Sequence, residues 1–263
     1  MVPTQEELDA FIRERFFCHF GHEDETALAS AVEEYRAVKA FRVNENIHET
    51  GQRLSEEGHY VMRLYAMFYM GQVLDALKID REDPNVMEDS ACGNIGTAGR
   101  IAKMYTGAVP EDERELMSGR WNPEPRMATF PNNAQTHEPV FVTTQLDAVC
   151  SHHFIRFGQD QADTGSVVVV GYIPREKLGG ISKINRFVNW CARRGWLQED
   201  LTRYIGNKIM QVFETDSVYV GLFNLKHGCT AFRGACDINA STSTTYVTGA
   251  FEKDRSLIPL KFQ

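Results

Sequence analysis

The sequence predicts an α+β protein in which a helical N-terminal region precedes a domain of antiparallel strands and paired helices. Apolar residues recur at helical spacing through residues 1–105, whereas from residue 139 onward they follow the shorter period of strands. Over residues 139–263 the expected order is strand, strand, helix, helix, strand, strand. Prolines interrupt any regular pattern in residues 106–138, so we interpret that stretch as a connecting segment.

The helical region is expected to begin at a capping box formed by Thr4 and Glu7. Apolar residues at helical spacing follow it, and similar patterns predict helices over residues 24–40 and 58–77 and around Arg100. The helix over 58–77 carries a stripe of methionines and aromatic residues. We favour buried helix packing over a cofactor site as the reason for this stripe.

Strands in the second domain are indicated by runs of β-branched and aromatic residues. They are expected at residues 140–149, 154–157, 167–173, 217–225 and 242–251. Residues 159–165 have the composition of a hairpin loop. Between the strands, one helix is expected to begin at Ser182 as its N-cap and to stop at Gly195. A second helix is expected over residues 198–213.

The formal net charge is −8 in 263 residues, which argues against a broad surface for nucleic acid or anionic membranes. An anionic ligand must therefore meet a local cluster of basic residues. The first residues lack the pattern of a secretory signal, and no apolar run approaches the roughly 18 residues of a membrane span. We therefore expect a cytoplasmic protein. Its six scattered cysteines are then expected to be thiols or metal ligands rather than disulfides.

The run Cys150-Ser151-His152-His153 has the spacing of a metal chelate, because a thiolate and an imidazole lie three residues apart. Sulfur together with imidazole nitrogen selects zinc over magnesium or calcium. Cys229 is the candidate for a third ligand, and three protein ligands leave one position open, as in catalytic zinc sites. His152 and His227 remain as imidazoles able to transfer protons near neutral pH. The spacing alone leaves a structural zinc or a pair of core histidines open.

The helix expected from Ser182 has two cations, Lys183 and Arg186, in its first turn, where the helix dipole disfavours positive charge. An anion at this end would gain free backbone N–H groups, the serine hydroxyl and both cations. The segment therefore predicts a phosphate site, although a solvated basic helix end is the simpler interpretation of this segment alone. The sequence contains none of the usual glycine-rich nucleotide-binding motifs.

Several motifs occur in the order and spacing of one known family. They are Cys150-Ser151-His152-His153, Gly171-Tyr172-Ile173-Pro174, Gly180-Ile181-Ser182-Lys183-Ile184-Asn185-Arg186, Gln198-Glu199-Asp200-Leu201-Thr202, and His227-Gly228-Cys229 with Arg233-Gly234. With these motifs the chain resembles GTP cyclohydrolase I over residues 70–252. Upstream, residues 100–105 are similar to the substrate-contacting helix of that family.

The resemblance implies a role for each matching residue. Zn²⁺ would be held by Cys150, His153 and Cys229. The catalytic residues would be His152 and His227, as an acid/base pair, and Ser182, which would also contact the triphosphate. Substrate-binding residues would be Glu199, which holds guanine, together with Gln198, Lys183, Arg186, Arg233, Arg100 and Lys103. A neighbouring subunit would contribute the last two.

The resemblance also implies a tunnelling fold, in which a ββααββ unit with an antiparallel sheet assembles into a toroidal oligomer. Family members are typically decamers whose sites are shared between subunits. Their reaction converts GTP and water to 7,8-dihydroneopterin triphosphate and formate, the first step of pterin and folate or 7-deazaguanine synthesis. The expected partners are therefore GTP and further copies of the chain, with no nucleic acid and no membrane.

The sequence departs from the family at Ser151, where a glutamate is usual, and at Thr97-Ala98-Gly99-Arg100, where the family has a Thr-Pro-x-Arg pattern. Ser151 removes a charge next to a metal ligand, which leaves two alternatives open. A variant enzyme of the same fold would act on a related purine nucleotide or stop after opening the imidazole ring. A protein without catalytic activity would be a zinc-stabilised oligomer.

Overall fold

The computed structural model describes residues 3–88, 92–107, 115–159 and 166–263. The chain divides into two compact units, Met1–Asn122 and Pro123–Gln263. The stretch expected to be a connecting segment holds a short helix in the first unit and a short strand in the second. The division into residues 1–105, 106–138 and 139–263 stays a prediction. The hairpin loop expected at 159–165 lies outside the described residues, apart from Gln159.

The first unit is helical, as the sequence predicts. Its α-helices are α1 (Gln5–Phe20), α2 (Glu25–Ala37), α3 (Glu56–Ala76), α4 (Gly96–Thr106) and α5 (Ser118–Trp121), with a 3₁₀ helix at Ile47–Thr50. The capping box is confirmed: Thr4 Oγ1 accepts from the N–H of Glu7, and Glu7 accepts from the N–H of Thr4. Within the described parts of the chain, no helix has both the length and the apolar character needed to cross a membrane.

The stripe on α3 contributes to two cores of the first unit. Leu64 and Tyr65 pack with apolar residues of α1 and α2. Met67 and Leu74 pack instead against Ala98 of α4. Burial of these side chains accounts for the methionine and aromatic pattern without a cofactor.

The expectation that all six cysteines are thiols or metal ligands is wrong for two of them. Cys18 of α1 and Cys92 form a disulfide, with their Cα atoms 5.5 Å apart. Spacing along the chain could not indicate this pair, because 74 residues separate its members and only the packed helices bring them together. The four remaining cysteines are Cys150, Cys191, Cys229 and Cys236, all free thiols.

The second unit combines strands with helices, and among its described residues six strands precede the first helix. Its strands are β1 (Thr129–Pro131), β2 (Val140–Thr144), β3 (Asp147–Cys150), β4 (Arg156–Gly158), β5 (Val167–Tyr172), β6 (Lys177–Gly179), β7 (Gly195–Trp196), β8 (Val218–His227) and β9 (Thr242–Val247). Its helices are α6 (Ile181–Ala192), α7 (Gln198–Phe213), α8 (Gly228–Ala231) and α9 (Ala250–Lys253), followed by 3₁₀ helices at Arg255–Leu257 and Leu260–Phe262. The predicted α+β class is confirmed.

The longest strand, β8, organises the main sheet. Its first half pairs with β5 on one side, its last residues pair with β4 on that same side, and β9 pairs along the other side. The sheet continues through β2 beyond β5, and through β3 and β7 beyond β4. These pairs are antiparallel except for β3 with β7, which run parallel. The carboxyl end of β8 is therefore held beside the β3–β4 hairpin.

Successive residues of β5 face different cores, as the pleat of a strand requires. Val168 and Val170 face a large core that is completed by α6 and α7. Val169 faces a second core, where Tyr219 of β8 meets Phe251 and the last residues of the chain. Burial on both faces explains why the valine run of β5 is continuous rather than alternating.

Two boundaries of α6 differ from the prediction. Gly180, not Ser182, is the N-cap, and no side chain caps this end. The backbone of Gly180 is fixed by its hydrogen bond to the carbonyl of Ala128, so the helix begins before the serine. Gly195 does not end the helix, which stops at Ala192, because Gly195 pairs with β3 as the first residue of β7.

The predicted strand over residues 140–149 is two strands. β2 pairs with β5, whereas β3 pairs with β4, and the chain crosses between them at Leu146. Gln159 holds this crossing in place: its side chain accepts from the N–H of Leu146, and its own N–H donates to the carbonyl of Leu146. The last predicted strand ends at Val247, before Gly249, whose φ is 59°.

Tyr219 gives a prediction for alkaline stability. Its side chain is 1% exposed, its hydroxyl donates to the carbonyl of Phe262, and burial raises its pKa from an ordinary value of 10.0 to about 12. Because the folded state holds the proton more tightly, its stabilising contribution is complete below pH 10 and is lost as the pH rises towards 12. This difference in pKa corresponds to about 2 to 3 kcal/mol of unfolding free energy at most.

Replacing Tyr219 by phenylalanine should therefore flatten the fall in unfolding free energy between about pH 9 and about pH 11. The loss of the hydrogen bond should cost about 1 kcal/mol at neutral pH. Urea unfolding of the two proteins at both pH values measures this difference. An equal alkaline loss in the two proteins would contradict the assignment to Tyr219.

Candidate active site

The turn between β3 and β4 brings a thiol and an imidazole close together. Cys150 ends β3, donates its N–H to the carbonyl of Ile155 and accepts from the N–H of Phe154, each at 2.9 Å. Phe154 has a φ of 54°, a left-handed conformation that reverses the chain within a few residues. Cys150 is buried, whereas His153 is exposed on the turn.

The backbone at Gly228 lies very close to the β3–β4 hairpin, and this places the thiol of Cys229 near that of Cys150. Gly228 directly follows β8, and a Cβ atom there would collide with the side chain of Ile155 and lie 3.0 Å from the carbonyl oxygen of Arg156. Only glycine lets the end of β8 pass this close to the β3–β4 hairpin. The next residue, Cys229, lies on the one-turn helix α8 and is half-buried.

Cys150, His153 and Cys229 form a group that could hold a metal ion. One ligand atom from each residue lies within 4.8 Å of the other two. Two thiols and one imidazole are the donor set that zinc prefers, and three ligands leave a coordination position for a fourth partner. The residues therefore fit the metal that the sequence predicts.

His227, the last residue of β8, lies next to this group and is held on two sides. Its ring stacks on Phe157 with centroids 4.5 Å apart and planes inclined by 6°. Its Nε2 atom is 2.7 Å from Oε1 of Gln198. Burial lowers the pKa of His227, and the nearby carboxylate of Glu199 opposes that effect. The structure thus places both first residues of α7 beside this imidazole.

The exposed side of the metal-binding group carries two further predicted site residues. Arg233 donates from Nη1 to Nε2 of His153. His152 is exposed, and its ring centroid is 6.4 Å from that of His153. A guanidinium and an exposed imidazole therefore lie next to His153.

The structure does not bring Ser182, Lys183 and Arg186 to this group within one chain. They lie at the start of α6, next to Gly179, which contacts the ring of Phe213 at the far end of α7. The 16 residues of α7 rise about 1.5 Å each, so about 22 Å separate its two ends. Since the first end contacts His227, the start of α6 is more than a side-chain length away from the metal-binding group.

Arg100 and Lys103 lie on α4 in the first unit. Arg100 donates to the side chain of Asn94 at 3.0 Å, and Lys103 is 3.9 Å from a carboxylate oxygen of Glu115. Their predicted contact with the substrate stays a prediction.

The model of the family described as GTP cyclohydrolase I matches residues 70–260 of this chain. The chain belongs to the GTP cyclohydrolase I family. As a member of this family it is a hydrolase. The matched region includes α4 of the first unit and, in the second unit, the strands from β1 to β9 with the metal-binding group.

Curated relatives agree with the family model. "GTP cyclohydrolase 1" of Blochmanniella pennsylvanica is 31% identical over 188 residues, which cover 71% of this chain and 75% of that protein. "GTP cyclohydrolase 1" of Enterobacter sp. strain 638 is 31% identical over 216 residues, covering 81% and 82%. A crystal structure of the archaeosine synthase QueF-Like in the apo form covers 43% of this chain at 20% identity, and its TM-score of 0.32 is too low to support an argument.

Sequence reasoning missed three contributors to the site. Gly228 permits the close approach, Phe157 stacks on His227, and Thr244 of β9 lies 3.1 Å from the amide nitrogen of Gln198. The glycine next to Cys229 carried a signal, because glycine at the end of a strand indicates close backbone approach. The other two contacts depend on which strands pair, and a local pattern does not carry that information.

Proposed function

We propose that this chain is a zinc-dependent GTP cyclohydrolase I that converts GTP and water to 7,8-dihydroneopterin triphosphate and formate. One observation carries the proposal: a Cys, His and Cys group lies beside a half-buried histidine and a carboxylate. Relatives that are 31% identical to this chain over 188 and 216 residues are named GTP cyclohydrolase 1. The net reaction adds one water to GTP and removes C8 of guanine as formate.

Zinc would be held by Cys150, His153 and Cys229. Bound zinc supplies Lewis-acid chemistry, which makes water a stronger nucleophile near neutral pH. The side chains of the protein would hold C8 of guanine next to the metal. The sheet fixes both thiols, and His153 is exposed, so a substrate would approach the metal from its side.

His152 and His227 would transfer the protons of the reaction. Ring opening requires a proton on the leaving nitrogen of the imidazole, and opening of the ribose requires another at its ring oxygen. The lowered pKa of His227 keeps this imidazole neutral near pH 7, so it would accept a proton before donating one. His152 is exposed and free to meet the other face of the substrate.

Glu199 would select guanine. A carboxylate has two acceptor oxygens, which suit the N1 and N2 hydrogens of guanine and no such pair in adenine. Glu199 is exposed in the first turn of α7 and lies close enough to His227 to influence its pKa. Both facts support a guanine bound against the start of this helix.

The triphosphate would be bound by Ser182, Lys183 and Arg186 of a second copy of the chain, together with Arg233. This division is supported by α7, whose two ends lie about 22 Å apart, with the start of α6 near one end and His227 beside the metal-binding group at the other. No side chain spans that distance, so one copy would supply the metal and another the phosphate site. Arg100 and Lys103 would be added by a neighbouring copy in the same way.

The site therefore requires an oligomer. We propose a toroidal assembly of the tunnelling fold, of the decameric kind, in which each ββααββ unit contributes to more than one site. We place the enzyme in the cytoplasm, at the first step of pterin and folate or 7-deazaguanine synthesis. Exposed apolar residues beside the proposed shared surface support association, and they include Phe130, Ile181 and Phe232.

Incubation of the zinc-loaded protein with GTP tests the proposal. Formate and 7,8-dihydroneopterin triphosphate should appear in equal amounts, measured by mass spectrometry. Formate without the pterin would identify an enzyme that stops after ring opening, which is the alternative raised by Ser151. A zinc-loaded protein that releases neither product would be the non-catalytic oligomer.

dGTP should separate the two halves of the reaction. The rearrangement of the ribose needs its 2′-hydroxyl, whereas the opening of the guanine ring does not. We therefore expect that dGTP releases formate at most, without the fluorescence of a pterin. Pterin formation from dGTP would contradict the proposed rearrangement.

A further inference from the structure

The side chain of Gln198 is 2% exposed, although the sequence predicts that it binds substrate. Its amide nitrogen lies 3.1 Å from the carbonyl oxygen of Thr242, 3.1 Å from Oγ1 of Thr244 and 3.4 Å from the carbonyl oxygen of Leu222. Its amide oxygen lies 2.7 Å from Nε2 of His227. Every polar atom of this side chain is therefore used inside the protein.

The direction of these hydrogen bonds follows from the chemistry of the partners. Backbone carbonyls only accept, so the group of Gln198 that faces the carbonyls of Leu222 and Thr242 must be the NH₂. The hydroxyl of Thr202 donates to the carbonyl of Gln198 at 2.7 Å. The hydroxyl of Thr244 then donates to Thr202, at 2.7 Å, and accepts from the amide of Gln198. The hydroxyl hydrogens of Thr202 and Thr244 therefore each have one place, and the two hydrogens of the Gln198 NH₂ group are shared among three acceptors.

These hydrogen bonds of Gln198 determine which ring nitrogen of His227 carries a hydrogen. Because the NH₂ group of Gln198 faces the carbonyls, its oxygen faces the imidazole, and an amide oxygen can only accept. Nε2 of His227 must therefore carry a hydrogen. In a neutral imidazole the other nitrogen, Nδ1, is then without a hydrogen and can accept one. The ring of Phe157, stacked at 4.5 Å, fixes the plane in which Nδ1 points.

We propose that Gln198 is a positioning residue, which holds His227 as the tautomer that presents Nδ1 as a base to the substrate. Gln198 does not contact the substrate. The base takes a proton from an O–H or N–H group at Nδ1 and returns it from the same atom, so the hydrogen bond from Nε2 to Gln198 persists in both states. The kinetic part of this inference rests on the proposed function, whereas the tautomer does not.

The test combines kinetics of the zinc-loaded enzyme with a direct view of the ring. Gln198→Met keeps the length of the side chain, cannot donate to the carbonyls, and offers Nε2 only the weak acceptor of a thioether sulfur. We expect kcat to fall about 10- to 100-fold, because a misoriented base loses most of its contribution. KM should change by less than about threefold, since no substrate contact is removed. Gln211→Met, an exposed glutamine on the same helix, should leave both unchanged.

Nitrogen-15 solid-state NMR of histidine-labelled wild-type protein reads the tautomer independently of activity. The signal of His227 is identified by its loss in His227→Asn. We expect a hydrogen on Nε2 in the wild type and a mixture of tautomers in Gln198→Met. A hydrogen on Nδ1 in the wild type would overturn the proposal even if the variant fails to fold.

A rise in KM with unchanged kcat in Gln198→Met would also overturn it, because that result assigns Gln198 to substrate binding. If the wild type carries its hydrogen on Nε2 but does not convert GTP, the proposed function fails and the orientation of His227 stands.

Discussion

Replacing Cys229 by alanine should release zinc and abolish turnover of GTP. The thiol of Cys229 is one of two in the metal-binding group, and with only Cys150 and His153 left the chain has two ligands for the ion. Zinc sites in proteins use three or four protein ligands, so affinity should fall steeply. We expect zinc content well below one per chain and formate release reduced at least about 10³-fold.

Zinc content by atomic emission and formate release, measured on the same preparation, check this result. Cys236→Ala is the matched control, because Cys236 is an exposed free thiol in the same segment and lies outside the group. It should keep both zinc and activity. A Cys229→Ala protein that retains a full complement of zinc and full activity would show that another residue is the third ligand.

Two inactive variants should restore activity when they share an oligomer. Cys229→Ala removes the metal from its own copy, and Arg186→Ala removes part of the phosphate site from its own copy. In a mixed assembly some sites combine an intact metal group from one copy with an intact α6 from another. For random one-to-one mixing about a quarter of the sites are intact, so activity should return to about a quarter of the wild-type value.

Co-expression with two different affinity tags, followed by purification on both, yields the mixed assemblies. The control mixes Cys229→Ala with Cys150→Ala, whose missing ligands belong to the same group. No copy in that mixture has an intact metal group, so no activity should return. If the first mixture is as inactive as the control, metal and triphosphate are bound by one copy and the proposed division of the site is wrong.

Spacing along the chain was enough to identify Cys150 and His153 as a candidate metal chelate. Cys150 and His153 are three residues apart, and the turn between β3 and β4 brings them together. The choice of Cys229 used the chemistry of zinc rather than a local pattern. The structure brings all three side chains within reach of one ion. Their role in catalysis, like that of each other site residue, stays a prediction.

What the sequence did not predict depends on contacts between distant segments. Serine is a favoured N-cap residue, but the hydrogen bond from Gly180 to the carbonyl of Ala128 fixes the backbone so that the helix begins before Ser182. Gln198 is a polar residue at the start of a helix, and nothing nearby in the sequence indicates that β8 and β9 bury its amide. In both cases a long-range contact overrode a local preference.

The close approach at Gly228 also bears on how the protein gains and loses its metal. In zinc fingers the ion organises the chain, so the free energy of metal binding is also the free energy of folding. Here the hydrogen-bonded sheet and the glycine hold the two thiols in place through contacts of their own. A chelator should therefore empty the site while the fold persists, and metal uptake should show little of the heat-capacity change that accompanies folding.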